Sequence, residues 1–198
     1  MTPLLTAAGA SLVVVLWGVL TFNALIRARN RVDEAWSGID VQLKRRRDLV
    51  PNLTNAVEAY AVHERDMLEE LTAARADASG ATGRVWRERC ERRLSGALLA
   101  VHLAAENYPD LKASTGYREL QQQLTEVEND LLGARRIFNS NVQRFNDLVQ
   151  TFPASFVASF GRFTPRQYFD VETSVERAVP DAAPGEEGLA AGGKAAAA

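Results

Sequence analysis

Residues 32–60 read VDEAWSGIDVQLKRRRDLVPNLTNAVEAY, and in them Val32, Trp36, Ile39, Leu43, Val50, Leu53, Val57 and Tyr60 recur at alternating steps of four and three. That rhythm is the apolar face of a helix turned toward other helices, and it points to an all-α fold. The rhythm also reserves one position between Leu43 and Val50, which Arg46 occupies. A guanidinium aimed into an aliphatic face needs a carboxylate and further acceptors, or its desolvation goes uncompensated.

Upstream, residues 4–26 read LLTAAGASLVVVLWGVLTFNALI, an uncharged run long enough for a helix to cross a hydrocarbon core of about 30 Å. Its strongly apolar residues together favour insertion by roughly 4 to 8 kcal/mol. A cleaved signal peptide would have a basic leader and a small-x-small site after a shorter apolar stretch, and neither is present. No Lys or Arg precedes the run, whereas Arg27, Arg29 and Arg31 follow it. The positive-inside rule then predicts a single-pass anchor in the cell membrane with the helical domain in the cytoplasm.

Downstream, the helical pattern continues to about Ala76 with Pro51 inside it. Proline removes the amide that would bond the Arg47 carbonyl, so the helix either kinks there or breaks into two antiparallel helices. The unbroken phase of Leu43, Val50, Leu53 and Val57, with no Gly or Asn among Asp48, Leu49 and Val50, favours the kink. Residues 77–83, DASGATG, read as a loop, and a second helix is predicted from about Arg84 to Asn107 with Leu94, Leu98, Val101 and Ala105 facing inward. After YPDLKASTG (108–116), in which Ser114 or Thr115 suits a helix cap, a third helix carries the seam Tyr117, Leu120, Leu124, Val127, Leu131, Ala134, Phe138, Phe145, Leu148 and Phe152, with the polar Asn141 in phase. These seams must bury one another, which predicts an N-terminal transmembrane helix followed by an elongated antiparallel helical bundle with a long, kinked first helix. The expected divisions are an anchor at 1–26, the bundle at 27–172 and a disordered tail at 173–198, rich in Ala, Gly and Pro.

Several segments carry a family resemblance. AWSGIDVQLKRRRDLVPNL followed by YAVHE, then YPDLKAS, TEVEN at 125–129, ARRIFNSNVQRFN at 134–146, TFP at 151–153 and YFDVE at 168–172 resemble, in order, segments of the LemA family. The resemblance covers about residues 1–172. It implies a small bacterial membrane-anchored helical protein of a family with no settled biochemical activity. Asp130 stands where that family pattern leads one to expect a basic residue, and Phe138 and Phe145 where tyrosines are usual.

Composition narrows the function. A net charge of −2 argues against a protein devoted to nucleic acid, and Cys90, the single cysteine, excludes an intrachain disulfide. His63–Glu64 is half of a zinc motif, but Met67 stands where the second histidine belongs. His102 and Glu106 share a helical face, yet Leu99 denies them the Glu-x-x-His pattern of di-iron bundles. Cys90 lies among Arg87, Arg89, Arg92 and Arg93, which would favour a thiolate, without a recognisable nucleophile motif around it. No catalytic, cofactor-binding or metal residue is therefore assigned.

The run Lys44–Arg47 has two readings. In one, Asp40 and Asp48 flank a solvated face while Arg46 packs inward against a carboxylate of the third helix, with Glu128 as candidate and Glu126 as the fallback. In the other, the run contacts anionic lipid or nucleic acid, although Lys44 lies roughly 27 Å beyond Arg27 along a straight helix. Arg27, Arg29 and Arg31 are better placed for headgroups. The expected function is a membrane-tethered scaffold or interaction module of the bacterial envelope, with the lipid bilayer, envelope proteins and a second copy of itself as partners. The alternative is an enzyme or metal-binding bundle with a site between helices.

Overall fold

The computed structural model describes residues 2–61 and 63–169. They form helices α1 (Thr2–Glu58), α2 (Arg65–Gly80), α3 (Arg84–Ala105), α4 (Pro109–Ala113), α5 (Thr115–Gln150) and α6 (Ala154–Phe160), with no strand among them. The all-α bundle expected from the seams is the architecture observed. The expected tail at 173–198 lies outside the described residues.

α1 is one helix of 57 residues, about 85 Å long, and it passes through Pro51 without a break. The Arg47 carbonyl that Pro51 leaves without an amide accepts a hydrogen bond from Nε of Arg75 on α2, at 3.0 Å. A side chain from a neighbouring helix thus stands in for the missing main-chain donor, and the backbone can stay helical.

The chain reverses later, at residues 59–64, so the expectation of one helix to Ala76 is corrected. The amides of Tyr60 and Ala61 both bond the Val57 carbonyl, at 3.0 and 2.9 Å, and close a turn that buries Ala61. Tyr60, placed on the seam by its spacing, is exposed. Nothing in the local sequence marks this reversal, because Ala61 within it and Leu68 and Leu71 beyond it are buried and keep a helix-like rhythm. The predicted loop at 77–83 shrinks to residues 81–83. Gly83 lies in the left-handed region at φ 81°, where a side chain would be strained.

α5 runs antiparallel to α1. Asn141 Nδ2 donates to the Arg31 carbonyl at 3.2 Å near one end, and Arg46 meets Glu128 nearer the other. The α5 cap is Ser114, whose Oγ accepts from the Tyr117 amide at 3.2 Å.

Two hydrophobic cores are strung along α1. The distal one joins Val50, Leu53 and Val57 to Leu71, Leu94, Val101, Leu111 and Tyr117, an aliphatic and alanine-rich filling between α1, α2, α3, α4 and the start of α5. The proximal one joins Leu25, Val32, Ile39 and Leu43 to Leu131, Phe138, Val142, Phe145, Ala158 and Phe169. At the proximal end the α5 seam departs from its predicted phase: Val142, Asn146 and Val149 are buried, Asn141 sits on a partly exposed flank, and Phe152 is exposed. The segment 163–169 covers α5 there and draws a second row of side chains inward.

Candidate functional site: a buried arginine layer and an asparagine-held strap

Arg46 lies at the boundary of the two cores, between Leu43 of one and Val50 of the other, with 0% of its surface exposed. Its Nη1 donates to Glu128 Oε1 at 2.6 Å and Ser95 Oγ at 2.9 Å, and its Nη2 donates to Glu91 Oε2 at 2.5 Å and the Glu91 carbonyl at 3.3 Å. Burial opposes the charge, but the Glu128 and Glu91 carboxylates more than offset it and hold the guanidinium pKa above its ordinary value. Glu91 is itself buried, and its other oxygen accepts from Arg47. Two arginines and two glutamates from α1, α3 and α5 therefore form a charge-neutral layer, in which the buried Arg46 Nε finds no hydrogen-bond partner.

The inward reading of Arg46 and the choice of Glu128 agree with this geometry. Glu91 escaped the sequence reading, although a signal existed: counting back from Ala105, Val101, Leu98 and Leu94 by fours and threes lands on it. Glu126 instead faces Arg45, at 3.8 Å, beside Asp130 at 3.4 Å. Asp40, read as a flanking charge within its own helix, pairs with Arg87 of α3. The run Lys44–Arg47 is thus mostly engaged with acidic residues of other helices.

Next to this layer, two arginines stack on the aromatic rings of the proximal core. The Arg84 guanidinium lies 4.5 Å from the Trp36 ring centre and 5.0 Å from that of Phe138, and Arg135 lies 4.8 Å from that of Phe169. Burial lowers both pKa values, reinforced by the charge of Arg166 on Arg84 and of Arg46 on Arg135. Trp36, expected in the seam, is half-buried and packs against Phe138 and Phe169 with ring centres 5.5 and 5.8 Å apart.

The strap, residues 163–169, is held by two asparagines of α5. Asn146 accepts from the Arg166 amide at 2.8 Å and donates to the Arg166 carbonyl at 2.9 Å; Asn139 does the same with Phe169, at 2.8 and 3.2 Å. The spacing has a geometric cause. Seven residues of helix advance about 10.5 Å and three residues of extended chain about 10 Å, so side chains at i and i+7 meet backbone at j and j+3. Each carboxamide supplies the donor and the acceptor that a neighbouring strand would have offered. The sequence reading singled out Asn141 instead. The signal it passed over is the dipeptide Phe-Asn occurring twice, at 138–139 and 145–146.

The residues weighed for chemistry are scattered. His63 and Glu64 lie in the turn before α2, where Glu64 accepts from the Tyr108 hydroxyl at 3.1 Å. Glu106 pairs with Lys112 at 2.6 Å, next to His102 on α3. Cys90 is buried in the distal core. No group of three metal-ligating side chains converges among the described residues.

Residues 35–183 match the LemA family model. The chain is also similar to Protein LemA of Metamycoplasma hominis (strain ATCC 23114 / DSM 25592 / NBRC 14850 / NCTC 10111 / PG21), with 26% identity over 137 residues, which is 69% of this chain. That alignment spans 63% of the relative's length.

Proposed function

The chain belongs to the LemA family, and from that premise we propose that it acts as a membrane-tethered, non-catalytic interaction module whose helical domain lies in the cytoplasm. The observation that carries this reading is the continuity of α1. Its N-terminal part is long and apolar enough to cross a membrane, and the same helix then supplies the seam of both cores. Leu12, Val13, Val14, Val15 and Leu16 are exposed on it. A helix without a hinge between anchor and bundle transmits orientation, so the outer faces of α2 and α3 are held at a set angle and height above the bilayer.

The cytoplasmic side rests on Arg27, Arg29 and Arg31, which follow the apolar run. For partners, α3 offers Leu99 and Leu103, exposed one turn apart on its outer face. Two measurements in intact cells test the reading. A C-terminal reporter active only in the cytoplasm should be active while one requiring export is silent, and the reverse would place the bundle outside. A photocrosslinking residue at Leu99 or Leu103 should trap discrete envelope proteins or a second copy of the chain, which the same residue at the exposed Lys44 of α1 does not trap. Identical products at all three positions would remove the interaction role.

A further inference from the structure

Between α5 and the strap, the chain makes an excursion that the scaffold role leaves unused. α6 lies beside α1 at Val15, Val19 and Phe22, where the two helices border an apolar groove of about 450 Å³ with Phe156 and Phe160 on its other wall. Phe163, just beyond α6, packs edge-on against Phe22 with ring centres 5.7 Å apart. The junction is close. A Cβ on Gly161 would come within 2.6 Å of the Phe163 ring and 3.0 Å of Phe22, so this position needs glycine.

The level of α6 follows from the helix geometry. Val15 and Phe22 precede Arg27 by twelve and five residues, which puts α6 about 8 to 18 Å below the level of Arg27 along the anchor. If residues 4–26 span a core of about 30 Å, that depth is inside the leaflet nearer the bundle. The side chains fit such a place. Phe152, Phe156 and Phe160 recur every fourth residue and are 75, 76 and 92% exposed, while Ala158 on the opposite side is buried in the proximal core. Residues 151–161, TFPASFVASFG, contain no charge.

Charges return on both sides of the excursion, at Asp147 before it and Arg162 after it. Arg27, Arg31, Arg144 and Asp147 line a neighbouring groove, Arg29 lies 5.7 Å from the Phe163 ring centre, and Arg162 follows α6 after Gly161. This is the order of a headgroup zone above an apolar one. The exit from α6 also leaves few main-chain groups bare. Phe163 N bonds the Ala158 carbonyl at 2.9 Å, Arg162 N bonds Ser159 at 3.1 Å, and Arg162 adopts the left-handed φ of 54° that closes such a cap. Satisfied backbone is what a segment entering hydrocarbon requires.

We propose that α6, with Phe152, Phe156 and Phe160, is a second membrane-embedded element, a wedge that enters the bundle-side leaflet beside the anchor and seats the bundle directly on the bilayer. The proposal rests on the reading of residues 4–26 as a spanning anchor. The occupant is lipid because the aromatic row continues the exposed apolar surface of the anchor at the same depth. The two Asn brackets hold the strap in place, so the wedge is built into the fold and is present whenever the bundle is folded.

The test uses the full chain with Cys90→Ala, reconstituted into vesicles of phosphatidylcholine and phosphatidylglycerol. Single nitroxide labels go on Leu16→Cys in the anchor, Phe156→Cys and Phe160→Cys in the wedge, and Leu99→Cys on α3. Collision with oxygen reports lipid and collision with a nickel chelate reports water; circular dichroism confirms that each variant keeps its helices, with Ser159→Cys as the substitute should a phenylalanine variant unfold. The wedge positions should match Leu16 in favouring oxygen, and Leu99 should favour nickel. Oxygen preference at Leu16 with nickel preference at 156 and 160 would overturn the wedge and leave the anchor standing. Nickel preference at Leu16 would remove the anchor and the wedge together. Shielding of 156 and 160 from both reagents, with dipolar broadening between copies, would assign the row to a dimer contact and overturn the lipid assignment.

Discussion

The two halves of the bundle solve one packing problem with different means. In the distal half, α1 is surrounded by α2, α3 and α5, and the space between helices is filled by Leu, Val and Ala. In the proximal half α1 and α5 run side by side with just the short α6 packed at their end, and a helix pair leaves an open groove. The groove is filled by rings, Trp36, Phe138, Phe145, Phe163 and Phe169, and roofed by the strap. A helix brings its own satisfied backbone to a core, whereas an extended segment does not. The lesson of the comparison is that closing a core with a strap needs side chains that imitate a strand edge, and Asn139 and Asn146 serve that need. The arginine layer lies where one solution gives way to the other.

The largest expected effect comes from that boundary. Arg46→Ala removes one of the two arginines that hold the buried Glu91, leaving only Arg47 on it, and should cost about 3 to 5 kcal/mol, read by reversible urea unfolding. Because Glu128 is 44% exposed and can be solvated, whereas Glu91 is buried, adding Glu91→Ala should recover more of the loss than adding Glu128→Ala. Hydrogen exchange on the single variant should show weakened protection in both halves. Loss confined to one half would mean that the layer belongs to that half alone.

A middle-sized effect should separate the halves. Asn146→Ala removes two hydrogen bonds to Arg166 and should cost about 1 to 3 kcal/mol, with faster hydrogen exchange at residues 163–169 and unchanged exchange in α2 and α3. Equal exposure of the distal helices would show that the strap supports the entire bundle. The smallest effect is expected in the distal half. Arg75→Ala withdraws the donor from the Arg47 carbonyl and should cost about 1 to 2 kcal/mol beside Pro51, but much less in a Pro51→Ala background, where a main-chain amide can take over. Additive losses in that double-mutant cycle would dismiss the compensation.

Legibility followed the range of the interactions. The seam through Val32, Ile39, Leu43, Val50 and Leu53 needed only helical periodicity, so the bundle, the inward Arg46 and the position of the Ser114 cap could be read directly. Glu128 was within reach because it lies on the strongest seam in the chain, beside Val127 and Leu131. Asn139 and Asn146 were harder. Their repeat is visible, but its meaning depends on a segment twenty and thirty residues away lying against α5. The turn at 59–64 has no Gly or Pro, and its apolar residues keep a helical rhythm although the backbone reverses.

The sequence by itself determined that the chain is helical, that its N-terminal run is apolar enough to cross a membrane, and that a charge must be accommodated inside the bundle, because periodicity, hydropathy and desolvation are local properties of residues. Only the tertiary structure decided where α1 ends, that Arg75 rescues the carbonyl left bare by Pro51, that Glu91 is the deeper partner of Arg46, and that α6 lies level with Val15 to Phe22. Each of these depends on which distant groups come within hydrogen-bonding or van der Waals reach, and those contacts exist only once the helices have packed.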